Sequence, residues 1–166
     1  MKRIYNFNAG PAMLPLEVLQ EVQAELLDLQ GSGMSILEMS HRAPVYEKIN
    51  AEAETDIKEL LGLGDDYCVL FMGGGASLQF SMVPMNFLGA GQTAAYAVTS
   101  NFSDKAVKEA EKVGNVVVPF SSKAEKYDRV PQPGEIRLPE NCAYLHITAN
   151  NTIEGTEYSV YPETGE

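Results

Sequence analysis

The most informative part of the chain reads Tyr67-Cys68-Val69-Leu70-Phe71-Met72-Gly73-Gly74-Gly75-Ala76-Ser77-Leu78-Gln79-Phe80. Its apolar first half predicts a buried strand at 67–72, and its second half predicts a helix over 76–88. The three glycines between them allow a sharp turn and leave no Cβ between the main chain and a ligand. Because the helix start presents free N–H groups and a partial positive charge, the turn is suited to an anion, most often a phosphate.

Two common phosphate-binding motifs do not fit this turn. A nucleoside-triphosphate loop carries Gly-Lys followed by Ser or Thr, but no lysine lies between Lys58 and Lys105. A dinucleotide loop reads G-x-G-x-x-G and has an acid about twenty residues further on. Here Leu78 stands where the third glycine would be, and the later acid is missing. From the turn alone, a phosphate site and a glycine-rich turn without a ligand are equally good interpretations.

The composition is that of an ordinary globular domain. The chain has 166 residues, of which 45% are hydrophobic and 21% are charged, so a single domain would bury roughly 70% of its unfolded surface. The formal net charge of −11 argues against nucleic acid or an anionic membrane as a partner. No signal peptide, membrane span or metal site is expected. Cys68 and Cys142 fall in predicted strands and are expected to be buried free thiols, which favours a cytoplasmic protein.

The part of the chain before the glycine turn predicts two helices. Pro15 opens the first helix and Gly31 closes it, and Pro44 opens a second helix that stops at Gly62. Apolar residues recur along both helices at helical spacing and are expected to face a core. These are Leu16, Leu19, Val22, Leu26, Leu29, Val45, Ile49, Ala53, Ile57, Leu60 and Leu61.

Beyond the glycine turn, strands and helices alternate. The patterns predict strands at 93–98, 116–118 and 143–148, and a helix at 103–113 with Ser103 as its N-cap. Such alternation favours an α/β domain with a mostly parallel sheet, in which ligands bind at the carboxyl ends of the strands. The loops at 73–77, 99–103 and 149–155 are therefore expected to converge. Together the three loops would suit a phosphorylated aromatic ring, because they offer a glycine turn suited to an anion, the aromatic Phe102 and the hydroxyl of Thr152.

Four motifs resemble those of one enzyme family. They are Asn6-Phe7-Asn8-Ala9-Gly10-Pro11-Ala12 with Leu14-Pro15, Ser40-His41-Arg42, the 71–80 segment, and Asn151-Thr152-Ile153-Glu154-Gly155. They occur in the family's order across nearly the whole chain. The chain therefore resembles the N-terminal part of the phosphoserine aminotransferases, which are class V enzymes that use pyridoxal 5'-phosphate (PLP).

The resemblance implies a fold and an activity. The fold is the three-layer, mostly parallel α/β type of the aspartate aminotransferases (fold type I), here incomplete. It implies residues 1–14 as an N-terminal segment on the substrate side and residues 15–166 as a partial cofactor-binding domain. The implied reaction interconverts phosphoserine and 2-oxoglutarate with 3-phosphohydroxypyruvate and glutamate in serine biosynthesis, carried out by a homodimer.

The resemblance also implies roles for individual residues. Ala76 and Ser77 would hold the PLP phosphate through main-chain and hydroxyl groups, and Thr152 would contact the phenolic side of the ring. Arg42, with His41 beside it, would bind an anionic group of the substrate across a dimer interface. Phe102 stands where the family usually has tryptophan. Phenylalanine can still stack on the PLP ring, but its smaller ring is expected to give a weaker cofactor affinity.

No catalytic residue is assigned within this chain. PLP transamination needs a lysine that attaches to the cofactor and an acid beside the pyridine nitrogen. In the family both come later than Glu166, so these residues alone are expected to be inactive.

Other interpretations stay open. Another fold-type-I PLP enzyme, such as a different aminotransferase or a desulfurase, would share much of the pattern. A non-catalytic phosphate-binding or dimerisation module would keep the fold without the chemistry. Ser40-His41-Arg42 could be a solvated turn, and His146, within an apolar strand, is expected to be a satisfied core histidine.

Overall fold

The computed structural model describes residues 3–165 and has two compact units, one ending at Phe71 and one beginning at Met72. The division expected after residue 14 stays a prediction. Within residues 3–165, no helix combines the length and the apolar character needed to cross a membrane.

The first unit contains two α-helices, α1 (Leu16–Glu25) and α2 (Pro44–Leu61), and a short 3-10 helix at Ile36–Glu38. The predicted starts are confirmed, since Pro15 immediately precedes α1 and Pro44 is the first residue of α2. A proline fits there because the first helical N–H has no partner within the helix. The predicted end of α2 is also confirmed: Gly62 follows it with a φ of 64°, a left-handed conformation that glycine adopts without strain.

The predicted core of the first unit is largely wrong. No residue of α1 or α2 is buried, and Leu16, Leu19, Val22 and Leu26 are between 39% and 55% exposed. Leu29 is buried as predicted. α1 stops at Glu25 rather than at Gly31, and the Leu29 N–H donates forward to the Met34 carbonyl at 3.0 Å instead of back to a helical carbonyl. Helical spacing identifies which residues share a face, but it does not determine what covers that face.

The strand predicted at 67–72 is also wrong. Residues 67–72 belong to no strand, and Tyr67, Leu70, Phe71 and Met72 are between 48% and 71% exposed. Cys68, expected to be buried, is an exposed free thiol. The apolar run has strand character, but a strand forms only where a neighbour supplies main-chain hydrogen bonds. No described strand pairs with it.

The second unit is an α/β arrangement around a parallel sheet. Its elements are α3 (Gly75–Phe87), β1 (Thr93–Val98), α4 (Asn101–Ala110), β2 (Asn115–Ser121), a short 3-10 helix at Lys123–Glu125, β3 (Cys142–His146), β4 (Asn150–Asn151) and β5 (Thr156–Glu157). β1 lies between β2 and β3 and pairs in parallel with both, while β4 and β5 form an antiparallel pair. The predicted strands and helices between residues 76 and 148 are therefore confirmed, with ends shifted by a few residues.

The core of the second unit is centred on β1. All six residues of β1 are buried, as expected of the central strand of a parallel sheet. Tyr96 packs against Ala106 and Ala110 of α4, and its hydroxyl hydrogen-bonds that of Tyr144 at 2.8 Å. This packing fixes α4 on the sheet and places its N-terminus beside the carboxyl end of β1.

Candidate functional site

The glycine turn opens α3 with two residues in left-handed conformations. Gly74 precedes the helix with a φ of 83°, and Gly75 begins it with a φ of 58°. A Cβ at Gly74 would also lie 2.7 Å from the side chain of Leu78. No side chain caps this helix start, so its first N–H groups are available to a ligand.

Replacing Gly74 by alanine is expected to destabilise the protein by about 1–3 kcal/mol, the usual cost of a strained backbone conformation. Gly73→Ala is the matched control, because a Cβ at Gly73 would have no neighbouring atom within 4 Å. Urea unfolding of the two variants measures the difference. Equal losses of unfolding free energy would show that Gly74 is not specifically required.

Serine side chains hold the loop between β1 and α4. The Ser103 hydroxyl accepts hydrogen bonds from the main-chain N–H groups of Thr99 and Ser100, both at 2.9 Å. The Ser100 hydroxyl accepts one from the Ser103 N–H at 3.1 Å. Ser100 is therefore the N-cap of α4, and the prediction of Ser103 is wrong. Either serine fits the local pattern, but only Ser100 has the extended backbone of a cap.

The loop after β3 is attached to the same place. Asn151, which is fully buried, accepts a hydrogen bond from the Thr99 hydroxyl at 3.4 Å and donates one to the Thr156 hydroxyl at 3.0 Å. Glu154 accepts two hydrogen bonds from Asn101, one from the main-chain N–H and one from the side-chain amide, both at 2.9 Å. The loops that follow β1 and β3 are thus joined, as the sequence predicted.

A cavity of about 280 Å³ lies where β3 ends and α3 and α4 begin. It is lined by Ala76, Phe80, Phe102, His146, Ile147 and Thr148. Ala76 belongs to the first turn of α3 and Phe102 to the first turn of α4. The lining is mostly apolar, with His146 and Thr148 as its polar members. This is the place at which parallel sheets usually bind their ligands.

His146 is the cavity residue whose hydrogen bonding the sequence did not predict correctly. Its ring stacks on Tyr96 with centroids 4.8 Å apart and meets Phe80 edge-on. Its Nδ1, however, is buried without a hydrogen-bond partner among the described residues, so the prediction of a satisfied histidine is wrong. Burial lowers the pKa of His146 and favours the neutral ring. The strand pattern placed this residue in the sheet, but no local signal indicates a cavity.

The half-buried His146 predicts that stability falls in weak acid. Because the pKa of His146 is lowered by folding, the unfolded chain binds more protons as the pH drops below about 6.5, and the free energy of unfolding decreases. His146→Phe should keep the stacking and flatten this dependence between about pH 7 and pH 5. Urea midpoints of the unmodified protein and of His146→Phe at both pH values measure the effect, and parallel slopes for the two proteins would contradict it.

The structure brings two of the predicted cofactor residues together at the cavity, Ala76 and Phe102. Ser77 is the next residue of α3 and is exposed. Thr152 is exposed and follows the buried Asn151. Neither Ser77 nor Thr152 lines the cavity itself. The roles of these four residues toward a cofactor stay predictions.

The two predicted substrate residues lie in the first unit. His41 and Arg42 are exposed and come just before α2. The Arg42 main-chain N–H donates to the Ser40 hydroxyl at 3.2 Å. This contact shapes the turn and makes no use of the guanidinium group, so the role of Arg42 toward an anionic substrate also stays a prediction.

The groups around the cavity fit a phosphate ester joined to a flat ring. The free N–H groups of α3 suit the phosphate, and Phe102 offers an aromatic face. A Cβ at Gly75 would have no atom within 4 Å, so the space beside the helix start is open. The unpartnered Nδ1 of His146 could receive a polar group. In residues 3–165, no three His, Cys, Asp or Glu side chains are grouped as metal ligands would be.

Comparison with known sequences gives close relatives. The aminotransferase class-V family model matches residues 4–164. A phosphoserine aminotransferase of Niallia circulans is 54% identical over 164 residues, an alignment that covers 99% of this chain and 45% of that protein. One from Geobacillus kaustophilus is 51% identical, with 99% of this chain and 46% of that protein covered. The chain thus spans about half the length of the curated relatives it matches.

Solved structures agree with these sequence matches. The phosphoserine aminotransferase of Bacillus circulans subsp. alkalophilus has a TM-score of 0.91 and 54% identity, over 98% of this chain and 45% of that one. The PLP-bound phosphoserine aminotransferase of Trichomonas vaginalis has a TM-score of 0.85 and 36% identity, over 98% of this chain and 46% of that one. The predicted α/β fold of the PLP-dependent aminotransferase type, with only part of it present, is confirmed. The chain belongs to the class-V aminotransferase family.

Proposed function

We propose that this chain carries the phosphate-binding part of a PLP site in a phosphoserine aminotransferase. The observation that carries the proposal is the cavity between the uncapped start of α3 and the ring of Phe102. A phosphate bound at the helix start would place an attached ring within reach of that aromatic face. The Trichomonas vaginalis phosphoserine aminotransferase, which is 36% identical to this chain and whose structure has PLP bound, supports the same cofactor.

The residues of this site have separate tasks. The main-chain N–H groups beside Ala76 and the hydroxyl of Ser77 hold the phosphate dianion. Phe102 stacks on the ring, which is worth about 0.5–1.5 kcal/mol beyond burial, and Thr152 hydrogen-bonds the phenolic oxygen. When bound, PLP supplies the electron sink that allows an amino acid to exchange its amino group.

The substrates of the whole protein are phosphoserine with 2-oxoglutarate, and 3-phosphohydroxypyruvate with glutamate in the reverse direction. Each is an anion, and the chain carries a formal net charge of −11, so local cations must bind them. Arg42, exposed beside His41, supplies one. A guanidinium group suits this task because it forms paired hydrogen bonds to carboxylate or phosphate oxygens.

The protein is a cytoplasmic homodimer in this proposal. Cys68 and Cys142 are free thiols, and Cys68 is exposed, which fits a reducing compartment. Ile4, Tyr5 and Phe7 are more than 75% exposed, and apolar surface of this kind often marks an interface.

The phosphate role is tested by PLP titration of the full-length protein, meaning a protein of its relatives' length that contains this chain, and of its Ser77→Ala variant. Loss of a hydrogen bond to a charged phosphate should weaken PLP binding roughly tenfold or more. Ser81→Ala is the control, because Ser81 is on the same helix but its hydroxyl bonds Glu109 at 3.1 Å. Equal PLP affinity in Ser77→Ala and the unmodified protein would remove Ser77 from the site. A full-length protein that binds no PLP would overturn the proposed function.

A further inference from the structure

The contact between Glu154 and Asn101 joins two parts of the chain that are 53 residues apart. One carboxylate oxygen, Oε1, accepts both the main-chain N–H and the side-chain amide of Asn101, each at 2.9 Å. Asn101 is the first residue of α4. A carboxylate is favoured there, since the helix start carries a partial positive charge. Phe102 follows Asn101 directly.

The opposite end of the same loop has its own attachment. Asn151 is fully buried between the hydroxyls of Thr99 and Thr156. The Gly155 N–H also bonds the Asn151 carbonyl at 2.7 Å, which closes the loop into a tight turn. Thr152 therefore lies between an anchor on the end of β1 and an anchor on the start of α4.

The Glu154 contact is not needed to start the helix. Ser100 and Ser103 already form a complete capping box at that end of α4, in which each hydroxyl accepts the main-chain N–H of the other serine. Asn101 is exposed, so water could replace Glu154 as its acceptor. The second carboxylate oxygen of Glu154 is buried with no hydrogen-bond partner among the described residues, which costs stability. The carboxylate thus contributes more to the geometry of the two loops than to folding.

We propose that Glu154 is a positioning residue that clamps the 151–155 loop to the start of α4 and so fixes Thr152 relative to Phe102. This inference rests on the proposed PLP site, in which Thr152 meets the phenolic side of the ring and Phe102 its face. Asn151 holds the loop before Thr152 and Glu154 holds it after Thr152, so loss of the Glu154 contact would leave Thr152 attached on one side only and free to change the tilt of the ring.

The test compares three variants of the full-length protein. Glu154→Ala removes the clamp, Glu154→Gln keeps a side-chain acceptor for Asn101, and Glu157→Ala is the control at an exposed glutamate on the adjacent strand. PLP affinity is measured by titration, and amide hydrogen exchange is followed in residues 101–103 and 151–155. Thermal unfolding confirms that each variant is folded.

Glu154→Ala should weaken PLP binding about tenfold, because loss of positioning removes part of each ring contact. It should speed amide exchange in both segments together, with unfolding temperature little changed. Glu154→Gln should restore most of the affinity, and Glu157→Ala should behave as the unmodified protein. Faster exchange in the 151–155 segment alone, or equal PLP affinity in Glu154→Ala, would overturn the clamp.

The two proposals fail in different ways. If the unmodified protein binds no PLP, the proposed function fails. The amide exchange data alone then test whether Glu154 joins the two loops. If PLP binds and Ser77→Ala weakens it, but Glu154→Ala changes neither affinity nor exchange, only the clamp fails.

Discussion

Borohydride reduction of the 1–166 polypeptide in the presence of PLP is expected to label no single lysine, and aminotransferase activity is expected to be absent. A lysine must reach the cofactor both to hold it covalently and to move the proton, and the six cavity-lining residues include none. Five of the seven described lysines are paired with acidic side chains: Lys48, Lys58, Lys108, Lys112 and Lys123. Peptide mapping after reduction measures the labelling.

The full-length protein is the control for this experiment. It should take up one label at a lysine beyond residue 166 and should convert phosphoserine and 2-oxoglutarate. Lys105 is the informative exception among the described residues, since its ammonium lies 5.6 Å from the centre of the Phe102 ring. Specific labelling of Lys105, or turnover by the 1–166 polypeptide, would contradict the expectation that the reactive lysine lies outside residues 1–166.

Replacing Tyr96 by alanine is expected to lower the free energy of unfolding by about 3–5 kcal/mol, the usual cost of deleting a buried aromatic ring. Tyr96 is 1% exposed and packs against Ala106 and Ala110. Its ring also supports His146 at 4.8 Å, so the cavity wall should loosen with the core. Urea unfolding of the full-length protein, with and without PLP, measures both effects.

Tyr96→Phe separates the contribution of the Tyr96 ring to stability from that of its hydroxyl. It keeps the packing and loses the hydrogen bond to Tyr144, so the expected loss is about 0.5–1.5 kcal/mol. A similar loss in both variants would mean that the ring does not support the core as described.

The sequence predicted the second unit well because its signals are local. β1 is a run of small and apolar residues with turn residues on each side, and its predicted limits, 93–98, agree with the structure. Gly74 and Gly75 predicted the turn because left-handed conformations select glycine. The start of α3 followed from that turn within one residue.

The sequence predicted that the strand-end loops converge, but it could not show which of their residues are in contact. Nothing local indicates that Asn151 meets Thr99, 52 residues earlier in the chain, or that Glu154 meets Asn101. The strand prediction at 67–72 was wrong for the same reason. The apolar residues of that segment favour a strand, but no local pattern identifies a partner strand for it. Ser100 and Ser103 are both serines that could cap α4. The backbone conformation selects Ser100, and the sequence does not reveal that conformation.

The central claim is that the start of α3 binds the phosphate of PLP, and a crystal structure of the full-length protein with PLP tests it most directly. The claim predicts the phosphate within hydrogen-bond distance of the main-chain N–H groups at Ala76 and Ser77, with the ring against Phe102. A phosphate bound elsewhere, or a nucleotide in this cavity, would contradict it.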